Sequence, residues 1–249
     1  MSYSVKKQIP NLITLMNLGS GVFAILAATE NQMGIAIAFI LLAAVFDFLD
    51  GLAARALHVI SDIGKQLDSL ADLVSFGVAP AFLSMALLKL LLFGSPNYPE
   101  MLALSDALIL FSPVLIPLFS AYRLAKFNID TRQTNHFHGL PTPANALFFT
   151  AFALIYLFQP AYKLWLEGLT SIFPIIVLIF CVLMISDFRM FSLKFKDWGI
   201  GKNKFRYLFL GGSAILLISL HAIAIPMVIV LYIVMSGIIN LINSKHSYQ

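Results

Sequence analysis

Four aspartates stand at helical spacing in otherwise apolar sequence: Asp47 and Asp50 in FDFLDGLAARA, Asp68 and Asp72 in KQLDSLADLVSF. At about 100° per residue, Asp47 and Asp50 lie about 60° apart around a helix and Asp68 and Asp72 about 40° apart, so each helix shows two carboxylates on one face. Four carboxylates gathered in one cavity repel one another unless protons or cations sit among them. Oxygen-only ligands suit hard divalent ions such as Mg²⁺ or Mn²⁺. Two such ions would offset the charge and leave coordination positions for phosphate oxygens, which is how phosphoryl displacements are commonly supported.

The neighbouring residues fit the same chemistry. Gly51, Ala54 and Gly64 remove side-chain bulk beside the carboxylates, and Arg55 adds a fixed positive charge suited to phosphate. Small residues on membrane helices also serve close packing; their spacing relative to the aspartates is what singles them out. Asp47, Asp50, Gly51, Ala54, Arg55, Gly64, Asp68 and Asp72 spell D-x2-D-G-x2-A-R-x8-G-x3-D-x3-D without a departure. This resembles the signature of the CDP-alcohol phosphatidyltransferase family. The resemblance implies a reaction in which an alcohol oxygen attacks the lipid-bearing phosphorus of CDP-diacylglycerol and CMP leaves. It further implies that Asp47, Asp50, Asp68 and Asp72 hold the metals, that Asp72 is also the general base, and that Asp50, Gly51, Ala54, Arg55 and Gly64 border the cytidine diphosphate. A homodimer is implied as well.

Further segments are similar to the phosphatidylserine synthase branch of that family: IPNLITLMNLGSG from Ile9, DSLADLVSFGVAPA from Asp68, RLAKFN from Arg123, HGLPTPANA from His138 and ISDFRMFSLKFKD from Ile185. They favour L-serine over glycerol-3-phosphate, inositol phosphate or choline as the acceptor. A serine site needs a cation for the carboxylate, and Arg123 and Lys126 are the candidates, although both also suit an interfacial anchoring role. Asn128, Thr142 and Asn145 are further polar candidates. Asn11, Thr14 and Asn17 share one face of the first helix, either lining the same cavity or bonding between helices. His136 and His138 lack a third ligand at zinc spacing. No histidine is followed two residues later by lysine, so the H-x-K-x4-D route through a phosphatidyl-histidine is unsupported. A cation transporter with intramembrane carboxylates is the competing class, but it leaves Gly51, Ala54, Arg55 and Gly64 unexplained.

The elements that must carry these groups are membrane helices. Hydrophobic residues make up 60% of the 249 and charged residues 11%, and the mean hydropathy is +0.90, whereas soluble domains are roughly a quarter charged. Hydropathy and breakers predict eight spans, near 12 to 29, 34 to 57, 68 to 93, 103 to 125, 143 to 160, 169 to 186, 206 to 222 and 226 to 243, with a seven-helix count if the last two merge at Pro226. The expectation is an all-α integral membrane protein, a single domain over residues 1–249, whose one bundle encloses a polar, metal-binding cavity at the cytoplasmic side. With both termini inside, fourteen of the sixteen Lys and Arg residues lie on the inner face and only Lys89 and Lys163 outside. The chain is accordingly expected in the cytoplasmic membrane of a prokaryotic cell, among membrane lipids, with the site facing the cytoplasm. The basic charge reflects that topology and not nucleic-acid binding. The loop 187–206 mixes basic and aromatic residues, as an interfacial segment does, and Cys181, without a partner cysteine, reads as a packing residue.

Overall fold

The computed structural model describes residues 3–59, 61–129, 137–191, 199 and 203–246. Arg132, His136, Lys194, Phe195, Lys196, Trp198 and Lys202 lie outside them. Helix α1 (Tyr3–Thr29) and helix α2 (Met33–Ala56) form a hairpin, reversed at Asn31, which adopts φ 57°. A second reversal follows at once. His58 is left-handed at φ 51°, and Ser61 caps helix α3 (Asp62–Asp72), its hydroxyl accepting the Gly64 N–H at 3.2 Å. Asp62 in the first turn of α3 complements the helix dipole.

Helix α3 does not stop at Asp72. It continues through a π-helical turn, Leu73–Val78, into helix α4 (Ala79–Phe93), which Gly94 ends in the left-handed conformation. Pro80, the second residue of α4, has no N–H for the carbonyl four residues back, which lies within the turn. The turn is a packing centre. Ser75 donates to the Asn17 carbonyl of α1 at 3.0 Å, and a Cβ on Gly21 of α1 would lie 2.8 Å from the Ser75 Cα, so only glycine permits this crossing.

Helix α5 (Leu104–Phe111) runs through a 3-10 turn into helix α6 (Leu115–Ile129), and helix α7 (Thr142–Phe158) follows. Helices α8 (Lys163–Leu169) and α9 (Phe173–Ile185) make one apolar stretch with their 3-10 turns. Helices α10 (Lys204–Leu220) and α11 (Ala224–His246) complete the described chain. Two short strands, β1 (Phe137–His138) and β2 (Arg189–Met190), pair antiparallel. The main apolar core draws on α1, α2, α4, α7 and α9, with Phe148, Phe149, Phe152, Phe173 and Phe180 interlocking at its centre.

Six stretches of the described residues are long and apolar enough to cross a membrane: Lys6–Thr29, Met33–Ala56, Asp62–Phe93, Leu104–Ile129, Pro160–Ile185 and Lys204–Leu241. The hydropathy pattern predicts eight. The predicted span 143 to 160 is the shorter helix Thr142–Phe158, of 17 residues, where about 20 are needed to cross the hydrocarbon. The last two predicted spans fall in one apolar stretch that breaks at His221, where φ is 57°.

Candidate active site

The tight α2–α3 reversal turns the two aspartate pairs toward each other. One carboxylate oxygen from each of Asp47, Asp50 and Asp68 lies within 4.8 Å of the others. Asp72 follows Asp68 by one turn on the same face of α3, and its Oδ1 is buried without a partner among the described residues. Asp50 is the most enclosed, 6% exposed, and Thr14 of α1 donates to its Oδ2 at 2.6 Å. One turn deeper, Ala43, Phe76 and Ala146 form a separate buried apolar cluster. Ala43 precedes Asp47 by four residues, and Phe76 and Ala146 follow Asp72 and Thr142 by four. The carboxylates therefore rest on an apolar floor.

Two cavities meet at the cluster. The first, about 240 Å³, is lined by Asn11, Thr14, Asp50, Gly51, Ala54 and Gly64, among others. Arg55 is exposed and is not among its lining residues; its Nε turns back to the Gly51 carbonyl at 2.9 Å. The second cavity, about 410 Å³, is lined by Asp68, Ser69, Asp72, Arg123, Asn128 and Pro141, among others. Asp68 and Lys65 border both. Sequence reasoning overlooks Lys65 as a site residue, although it shares a helix face with Asp68 and Asp72 at spacings of three and seven.

Of the candidates on the second side, Arg123 is buried, 8% exposed. Its Nη1 donates to Thr142 Oγ1 at 3.1 Å, and its buried Nε has no partner among the described residues. Asn128 lines the cavity and donates to Ser69 Oγ at 2.9 Å. Lys126 is turned elsewhere: its Nζ bonds the Ile185 carbonyl and pairs with Asp187, both at 3.1 Å, so it ties the ends of α6 and α9 together. Asn17 and Asn145 are fully buried and line neither cavity.

The donor set fits a hard divalent cation. It is all carboxylate, three of its oxygens converge, and a buried Asp72 oxygen has no partner among the described residues. A sequence model of the CDP-alcohol phosphatidyltransferases matches residues 7–185, nearly three quarters of the chain. The chain belongs to the CDP-alcohol phosphatidyltransferase family. Within that family it is similar to the CDP-diacylglycerol–serine O-phosphatidyltransferase of Bacillus subtilis, 36% identical over 135 residues, or 54% of this chain and 69% of the relative. The protein of the same name from Methanocaldococcus jannaschii is 36% identical over 152 residues, 60% of this chain and 63% of that one. The one from Helicobacter pylori strain 26695 is 31% identical over 195 residues, 77% of this chain and 75% of the relative. The match thus spans a little under two thirds of the archaeal relative and three quarters of the Helicobacter one.

Proposed function

We propose that this membrane protein is an enzyme that transfers the phosphatidyl group of CDP-diacylglycerol to L-serine, giving phosphatidylserine and CMP. The observation that carries the reading is the position of the aspartate cluster at the junction of two unlike cavities. Small residues line one of them, and a buried guanidinium with a nitrogen to spare borders the other. The cytidine diphosphate occupies the first, bordered by Asp50, Gly51, Ala54 and Gly64, with Arg55 close by on the same helix. Serine occupies the second, its carboxylate against Arg123 and its polar groups within reach of Asn128.

Asp47, Asp50, Asp68 and Asp72 hold two divalent cations, Mg²⁺ or Mn²⁺. When bound, these supply the positive charge that the cluster lacks and polarise phosphate oxygens. Asp72 accepts the proton of the serine hydroxyl as the hydroxyl oxygen bonds to the lipid-bearing phosphorus. The bond from this phosphorus to the oxygen of CMP breaks, and CMP leaves with the electron pair. Thr14 keeps Asp50 oriented. The excess of basic residues on one side supports a reaction at the cytoplasmic face of a prokaryotic inner membrane. Residues 1–249 act as one domain of eight membrane helices, α7 and the α10–α11 pair included, in a homodimer.

The test supplies purified protein with CDP-diacylglycerol and, in turn, serine, glycerol-3-phosphate, inositol phosphate and choline, and measures CMP release. Release is expected with serine. Turnover with another alcohol and none with serine would overturn the assignment.

A further inference from the structure

Residues beyond 185 fall outside the stretch matched by the family model, yet their last helix is tied to the acceptor side of the site. Helix α11 carries Tyr232, Ser236 and Asn240 at four-residue spacing, one polar stripe on an apolar helix. Polar side chains in membrane helices are retained where they find partners. All three find theirs in one short segment. The Tyr232 hydroxyl donates to the Phe191 carbonyl at 2.9 Å, and Asn240 Nδ2 donates to the Arg189 carbonyl at 2.7 Å. Between them, the Phe191 N–H donates to Ser236 Oγ at 3.3 Å, whose own proton goes to the Tyr232 carbonyl at 2.7 Å. The Phe191 ring is held by Tyr232 and by Phe209 of α10, with centroids at 5.0 and 5.7 Å.

From this segment the hold passes to the site through the backbone. Strand β2 pairs with β1, Phe137 opposite Met190 and His138 opposite Arg189. The Gly139 N–H donates to the Phe188 carbonyl at 2.9 Å and the Leu140 N–H to the Leu183 carbonyl at 3.1 Å. Gly139 adopts φ 74°, and a Cβ there would collide with the Met184 carbonyl oxygen, so the loop is pressed onto the end of α9. The next two residues are Pro141, which lines the second cavity, and Thr142, which accepts the hydrogen bond from Arg123.

We infer that Tyr232, Ser236 and Asn240 are positioning residues for the acceptor alcohol: α11 holds β2, β2 holds the 137–142 loop, and that loop fixes Arg123. The inference rests on the assignment of the second cavity to the acceptor. The test is the full-length double variant Tyr232→Phe with Asn240→Leu, which keeps both side-chain bodies and removes both hydrogen bonds to β2 and Phe191. CMP release is measured while serine and CDP-diacylglycerol are varied separately. The KM for serine is expected to rise about threefold to tenfold, on the order of two hydrogen bonds between membrane helices, while that for CDP-diacylglycerol stays within about twofold. Amide exchange at Gly139 and Leu140 should quicken. Val234→Ala and Ile238→Ala, on the exposed side of α11 at 51% and 47% exposure, should move neither KM. An unchanged serine KM in the folded double variant, or equal rises for both substrates, overturns the inference. If the double variant does not fold, Tyr232→Phe alone, which retains the ring packing, is put through the same comparison. Should the wild-type protein release CMP with another alcohol and not with serine, the serine assignment falls, and the positioning claim is then decided on that alcohol's KM.

Discussion

The two cavities that meet at Asp68 solve opposite problems. The smaller is walled by Gly51, Ala54 and Gly64, and its cationic side chain at the shared border, Lys65, is exposed and jointed; such a wall admits a ligand against backbone and lets the charge follow it. The larger has a guanidinium that is buried and pinned to Thr142. A desolvated cation is costly unless an anion meets it. On the proposed assignment, the smaller side would bind by close approach and the larger would select by a charge fixed in place.

The sharpest break comes in the aspartate cluster itself. Asp72→Asn keeps the volume and removes the proposed base, so CMP release should fall by about 10²- to 10⁴-fold while the detergent-solubilised protein keeps its elution volume and melting temperature; substantial retained turnover would remove Asp72 from the mechanism. Next, Arg123→Ala should lower kcat/KM for serine by about 10- to 150-fold, the worth of a charge-assisted hydrogen bond, with little change in the KM for CDP-diacylglycerol. Lys126→Ala, one turn along, breaks a partly exposed pair with Asp187 and a bond to the Ile185 carbonyl, both outside the second cavity, and should leave the serine KM within about twofold. If the two variants behave alike, the fixed charge is not what selects.

Thr14→Val tests the narrow side from behind. It removes the proton donated to Asp50 and should weaken Mn²⁺ binding by about tenfold, the lower range for outer-shell partners of metal ligands, read by spin resonance of free Mn²⁺; Thr14→Ser should restore it. The smallest effect is expected at Gly51, where an added Cβ meets no protein atom within 4 Å. Gly51→Ala should hold or raise the melting temperature, since alanine favours the helix by about 1 kcal/mol, and yet raise the KM for CDP-diacylglycerol about fivefold by crowding the ligand. An unchanged KM would mean that the nucleotide does not lie against α2 there.

The aspartate cluster was legible because its geometry is local. Asp47 and Asp50 share a face through helix periodicity alone, as do Asp68 and Asp72, and the short reversal with His58 and Ser61 joins the two faces. The other side depends on long-range packing. Arg123 and Lys126 differ by about 60° of helix phase, and nothing in RLAKFN tells which of them meets α7 and which meets Asp187 of the α9 end. The Asn128–Ser69 bond spans 59 residues. Thr14 could be placed on the right face of α1, but its bond to Asp50 depends on how deep α1 sits against α2. The span count was less legible for a similar reason: hydropathy registers apolar length, whereas helix ends at Phe158 and His221 are set by turn geometry.

The π-helical turn at Leu73–Val78 has a consequence for inheritance. A π turn is an α-helix that has accepted one residue too many. Deleting a residue there would heal it into regular helix, which keeps α4 near its present phase but removes the bulge that carries Ser75 to the Asn17 carbonyl and against Gly21. The segment is therefore fixed in length more strictly than in composition. Gene copies should accept substitutions at Leu73, Val74 or Val78 far more readily than a one-codon gap, while the exposed connection after Gly94 tolerates gains and losses freely.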